Sequence, residues 1–349
     1  MSIAIVGCND VAKLLIERIR TSIPLSELRI ITFDRGSALK CMSAKDLPYR
    51  IEIVDDVRDA ERFLRDVDVV IESLEEDRID LVPILLDSVQ RISIPTIATN
   101  LRDTKRRNNV MYVPPPLVLP SLITARVVHL HEDVDIATFC MYSSIDVAKQ
   151  GCIDRYVSSN VVPLTTELKY LDEIVGLPSR SNDLLNLVGV TLSSNVVPDQ
   201  SSFSNARISF GVLKPRNCVE YLRSFVAIRR ILRDDDLDKF VELVAKRTVT
   251  VRDPDYGICI AIAVGKLPRS NRYRVVRYYV EVREPNTVSR IGSIALQFVL
   301  ELLLGRVVEI EQYPSILSLL VENPSITLRL LSYLYEELSD FKAQQTVFS

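Results

Sequence analysis

Two histidines, His129 and His131, are the whole imidazole supply of this 349-residue chain. On a strand, His-x-His spacing places both rings on one face, but zinc needs a third ligand that the sequence does not identify, so no metal site is expected. General acid–base work therefore falls to Asp, Glu, Lys, Tyr or Cys. Residues 143–152 follow a strand pattern and gather Asp146, Lys149 and Cys152. Asp146 and Lys149 are the proton-transfer candidates there, and a solvated loop leading into a helix is the plainer alternative. Cys152 as a nucleophile, in the manner of a two-domain semialdehyde dehydrogenase, would need a partnered base, and no histidine is near it in sequence.

The chain opens on a second constellation. A short apolar run, Ile3 to Val6, leads into Gly7-Cys8-Asn9-Asp10-Val11-Ala12, and a helical pattern covers Val11 to Arg20. This is the place of the G-x-G-x-x-G/A loop, whose amides at a helix N-terminus bind a pyrophosphate. Gly7 suits the tight turn, and Ala12 suits close helix–strand packing. Asn9 stands where the glycine that admits the phosphates belongs, and its side chain would crowd them. Asp10 adds an anion at the end that should receive one. Asp34 closes the second strand, where an acidic residue bonds a ribose 2′-hydroxyl, whereas Arg35 beside it would tolerate a 2′-phosphate. NAD and NADP both stay open as the cofactor. Ser73, after the fourth strand, completes a candidate cofactor set of Gly7, Asn9, Asp10, Val11, Ala12, Asp34, Arg35 and Ser73. A Rossmann shell that has lost its cofactor is the competing reading.

The elements that must position these residues alternate strand and helix. Strands are expected at Ile3 to Val6, Arg29 to Phe33, Ile51 to Val54, Val67 to Ile71 and Thr96 to Ala98. Helices are expected at Val11 to Arg20, Asp59 to Arg65 and Ile79 to Val89. Near-continuous apolar strands in such a series indicate a parallel sheet covered on both faces. Pro114-Pro115-Pro116 is expected to break the pattern at a crossover, because consecutive prolines join neither a helix nor a central strand. After a helix at Leu119 to His129 the texture changes. Strands are expected at Val134 to Tyr142, Arg207 to Leu213, Ile258 to Val264 and Tyr273 to Arg283, with a long loop at 181–204. The last strand alternates, with Val276, Tyr278, Val280 and Val282 on one face and Tyr273, Arg277, Tyr279, Glu281 and Arg283 on an open, charged one. Helices at Ser289 to Arg306 and Ile326 to Leu338 are expected to close the chain. The fold class is thus α/β, a Rossmann-like doubly wound parallel sheet (1–116) plus an α+β domain with a largely antiparallel mixed sheet (117–288). The C-terminal helices (289–349) return to the first domain.

Composition narrows the function classes. Apolar residues make up 47% and charged residues 26%, which excludes a disordered chain. Forty-six acidic against 43 basic side chains leave a charge of -3 with no basic block, which argues against a nucleic-acid partner. Ile294 to Val308 is the most apolar stretch, but it holds Glu301 and Arg306 and reads as a buried core helix, so no membrane partner is expected and a cytoplasmic location is. The six cysteines show no Cys-x-x-Cys pair and are expected as buried free thiols. Few Gly, no Trp and abundant Ile, Val, Arg and Glu suit a thermophile, in which intracellular disulfides also occur.

The run Tyr278-Tyr279-Val280-Glu281-Val282-Arg283-Glu284-Pro285-Asn286-Thr287, followed by a long apolar helix to Leu304-Gly305-Arg306, resembles the saccharopine dehydrogenase-like family. The pair Asp34-Arg35 and the strand Asp68-Val69-Val70-Ile71 resemble it too. The resemblance implies a Rossmann domain, an inserted mixed-sheet substrate domain and a homodimer formed through that domain. It also implies NAD(P)-linked oxidoreduction at a carbon–nitrogen bond of a small amino-acid-derived substrate, whose carboxylates would meet Arg277 or Arg283. The family's glycine-rich loops are absent here, which keeps a non-catalytic interaction or assembly module open as the alternative.

Overall fold

The computed structural model describes residues 2–41, 49–100, 106–142, 168–170, 187–191, 206–215, 256–266 and 273–348. Two compact units emerge, Met1–Val118 with Ser289–Glu337, and Leu119–Val288 with Leu338–Ser349.

In the first unit, strand β1 (Ser2–Val6) carries four successive apolar residues, Ile3 to Val6, and all are fully buried. A strand buried on both faces belongs in the middle of a helix-covered parallel sheet. It pairs in parallel with β2 (Glu27–Thr32) on one side and β4 (Val69–Glu72) on the other. With β3 (Tyr49–Ile53), β5 (Thr96–Ala98) and β6 (Val110–Tyr112), the order is β3-β2-β1-β4-β5-β6. That is the doubly wound dinucleotide-fold order, and its direction reverses between β1 and β4, where such folds bind ligands. Helices α1 (Asp10–Ser22), α2 (Arg35–Cys41), α3 (Val57–Leu64) and α4 (Val82–Arg91) lie between the strands.

Helix α5 (Pro115–Val128) corrects one expectation: Pro115 and Pro116 open this helix and do not break the chain. First-turn prolines lack N–H groups that would find no helical acceptor anyway, so they are tolerated there. Helix α6 (Thr287–Leu304) is long and apolar enough to cross a membrane by length and composition alone, yet 67% of it is buried inside the protein. It is a core helix. Its Gly292 lies against Pro115, whose Cβ is only 2.6 Å from where a side chain would begin. Helices α7 (Ile316–Glu322) and α8 (Pro324–Glu337) complete the unit. Buried Gln297 of α6 ties three helices together. Its Oε1 accepts from Arg18 Nε of α1 at 2.7 Å, and its Nε2 donates to the Tyr333 hydroxyl of α8 at 2.8 Å.

The second unit is built on a mixed sheet of β7 (Glu132–Tyr142), β8 (Leu168–Tyr170), β9 (Leu187–Thr191), β10 (Ala206–Pro215), β11 (Tyr256–Lys266), β12 (Tyr273–Arg283) and β13 (Phe341–Phe348). The order is β13-β12-β11-β7-β10-β9-β8; β7 and β10 pair in parallel and the other pairs are antiparallel. Val276, Tyr278, Val280 and Val282 of β12 are buried as the alternation requires, but so is Arg277, and its face is not open there. Strand β9 runs inside the stretch expected as a loop. The chain closes on strand β13, not on a helix. Glu284 fixes that return, its Oε1 accepting from both the amide and the hydroxyl of Ser339 at 2.5 Å.

A further expectation is corrected. Cys8 is bonded to Cys41, and Cys140 to Cys259, so among the described residues no cysteine is a free thiol. Cys140 and Cys259 face each other directly across β7 and β11, with Cα atoms 4.2 Å apart. His129 and His131 follow the end of α5, before β7 begins. The Val127 carbonyl is 2.9 Å from His131 Nδ1, and His131 packs against Gly265.

Candidate dinucleotide site at the edge of the parallel sheet

Gly7 leaves β1 at φ +95, a conformation that L side chains rarely adopt. A Cβ there would sit 2.2 Å from the Ser73 carbonyl oxygen, so the turn and the close approach to the end of β4 both require glycine. The Gly7 amide donates to the Ile31 carbonyl of β2 at 2.8 Å, which seats the turn between β2 and β4.

Asn9 caps α1. Its Oδ1 accepts from the Ala12 amide at 3.0 Å and from the Ser73 hydroxyl at 2.6 Å, and its Nδ2 donates to the Leu74 carbonyl at 3.3 Å. These bonds draw the side chain back into the cap, where sequence alone placed it over the loop. The amides of the next two residues, Asp10 and Val11, donate to no acceptor among the described residues. They are the unsatisfied first-turn donors that an anion at a helix N-terminus accepts from. Asp10 itself is exposed, whereas Val11 and Ala12 are buried.

Asp34 follows β2, as expected, and caps α2. Its carboxylate accepts from the Ser37 amide at 2.7 Å and the Ser37 hydroxyl at 3.0 Å. The Ser37 amide holds this carboxyl below the ordinary aspartate range, with the nearby Arg78 acting in the same direction. Arg35 is exposed in the first turn of α2.

Three residues that sequence reading missed complete the edge. Glu72, at the end of β4, is fully buried and accepts from the amides of Leu74, Thr99 and Asn100 and from Asn100 Nδ2, at 2.6–3.1 Å. Burial pushes its carboxyl up while these N–H donors pull it down. Their effect is to stitch the ends of β4 and β5 together. Glu75 accepts from the Cys8 amide at 3.0 Å through Oε1. Arg78 lies 3.8 Å from the Asp34 carboxylate, with its guanidinium over the Phe33 ring.

The structure thus brings Gly7, Asn9, Asp10, Val11, Ala12, Asp34, Arg35 and Ser73 to one edge of the parallel sheet. Arg277 and Arg283 belong to the other unit. Burial lowers the pKa of the Arg277 guanidinium, whereas Arg283 is half exposed and paired with Glu281 at 2.6 Å. Asp146, Lys149 and Cys152 lie outside the described residues.

The residues present fit a dinucleotide in its turn glycine, its free first-turn amides and its acidic group after β2, while Glu75 takes one loop amide. No known family model matches this sequence, and no curated protein matches it. The chain is similar to a solved apo saccharopine dehydrogenase (L-Glu forming) from Saccharomyces cerevisiae, with TM-score 0.61, 11% identity and 100% of both chains covered. A myo-inositol dehydrogenase from Corynebacterium glutamicum also aligns, at 12% identity over 100% of this chain and 99% of that one, but with a TM-score of only 0.40. What is shared with the yeast enzyme is the fold: a Rossmann-like parallel sheet and a mixed, largely antiparallel sheet. The resemblance read from residues 34–35, 68–71 and 278–306 is thus matched at the level of fold.

Proposed function

We propose that the protein is an NAD(P)-dependent oxidoreductase of the saccharopine dehydrogenase-like type, acting on a carbon–nitrogen bond of an amino-acid-derived substrate. The observation that carries this reading is the coincidence of Gly7, the open amides of Asp10 and Val11, and Asp34 at the strand-order reversal of a doubly wound sheet. The nicotinamide dinucleotide, when bound, supplies the hydride chemistry. The chain's part is to hold the phosphates at the start of α1 and the ribose at Asp34, with NAD and NADP both open. Proton transfer is assigned to Lys149 or Asp146. A substrate carboxylate is assigned to Arg283 or Arg277; at Arg283 it would have to compete with Glu281. A homodimer in the cytoplasm, with a small-molecule substrate and neither nucleic acid nor membrane as partner, belongs to the same proposal.

The test is a panel of amino-acid secondary amines incubated with NAD or NADP, and of amino acid plus 2-oxo acid with the reduced forms, followed by nicotinamide absorbance. Turnover that is lost in Lys149→Met or Asp146→Asn supports the reading; no turnover with any member contradicts its catalytic half. A second reading, a non-catalytic interaction or assembly module on the same fold, is favoured by the inward-turned Asn9 cap and by Glu75 on the Cys8 amide. It expects a folded chain that binds none of the dinucleotides.

A further inference from the structure

The segment after β4 makes two contacts that the function proposed above does not use. Glu75 reaches the β1–α1 loop, where its Oε1 accepts from the Cys8 amide at 3.0 Å. Three residues on, within the 3-10 turn Glu76–Leu81, Arg78 reaches the end of β2 and stands 3.8 Å from the Asp34 carboxylate and 5.6 Å from the centre of the Phe33 ring. The segment is held together locally, the Arg78 amide donating to the Glu75 carbonyl at 3.0 Å. One short stretch therefore touches both the loop that would receive the phosphates and the acidic residue that would receive the ribose. Cys8 is fixed a second time, through its disulfide to Cys41 at the end of α2.

The geometry points to residues 75–81 as a strap across the adenosine half of the dinucleotide site, latched by the Glu75 carboxylate standing in for an anion on the loop. This inference rests on the dinucleotide reading. A carboxylate on a loop amide removes one donor from an incoming phosphate and sets a negative charge beside it, on a helix end that already carries Asp10. Binding then requires Glu75 to leave Cys8, so that part of the affinity is spent on opening, and an unlatched variant should bind more tightly.

The experiment is calorimetric titration of NAD, NADH, NADP and NADPH into the full-length wild type, Glu75→Ala and Glu75→Gln, with thermal unfolding of each to establish that it is folded. Glu75→Ala is expected to bind the preferred dinucleotide about tenfold or more tightly than the wild type, the scale of one charge-assisted hydrogen bond. Glu75→Gln, which keeps an acceptor for the Cys8 amide but loses the charge, is expected between the two and serves alone should the alanine variant fail to fold. Equal, measurable affinity in wild type and variants would overturn the strap and leave the dinucleotide reading standing. Absence of binding in every folded variant would overturn both.

Discussion

An L side chain at position 7 has nowhere to go: the conformation is left-handed, and the Ser73 carbonyl occupies the space. Gly7→Ala is expected to cost about 2–4 kcal/mol, the sum of backbone strain and overpacking, as read from chemical denaturation. A loss within experimental scatter would mean that β4 does not press on the turn. Asp34 makes a pH-dependent contribution. Its folded pKa is lowered, chiefly by the Ser37 amide, so its stabilisation is present above the ordinary aspartate value and is lost as the pH falls through the lower folded one. Asp34→Ala should therefore cost about 1 kcal/mol at neutral pH, the worth of an N-cap, and the gap to wild type should close on acidification. A gap unchanged in acid would show that the ionised cap is not what matters. Gly7 and Asp34 were legible in the sequence because each sits at a fixed offset from a strand end. Glu75 was not, because its bond to Cys8 spans 67 residues and exists only once β1 and β4 are neighbours.

At the scale of elements, the strands of the parallel sheet were readable wherever apolar runs were continuous, as in β1, β2 and β4. Strand β13 was not, because Phe341-Lys342-Ala343-Gln344-Gln345-Thr346-Val347-Phe348 is polar through its middle and acquires its role only by pairing with β12. The prolines at 115 and 116 misled because their meaning depends on which side of a helix start they fall. The disulfides had no local signal either, since the paired cysteines are 33 and 119 residues apart. The longer closure should matter more to stability, because it removes more freedom from the unfolded chain. Cys140→Ser with Cys259→Ser is expected to lower unfolding stability by about 2–4 kcal/mol, and a dithiol reductant should reproduce the loss in the wild type. If the denaturation midpoint is insensitive to reductant, the β7–β11 crosslink contributes nothing to the fold.

At the scale of the molecule, the α/β class and the change of texture from a parallel to a mixed sheet were both readable from hydrophobic patterning. The same fold at 11% identity to the yeast enzyme shows how little of that pattern depends on particular residues. The proposed dinucleotide site rests on a few residues at the carboxyl edge of the parallel sheet, and these are of two kinds. Gly7, Asp10, Val11 and Asp34 would hold the dinucleotide under that proposal, whereas Asn9 accepts from the Ala12 amide and Glu75 from the Cys8 amide. Dinucleotide binding is tested most directly by calorimetric titration of the folded, full-length wild type with NAD, NADH, NADP and NADPH in turn. One oxidised and reduced pair is expected to bind saturably, at one molecule per chain. Absence of heat with all four, in a sample that still unfolds cooperatively, would contradict it and turn the search toward protein partners.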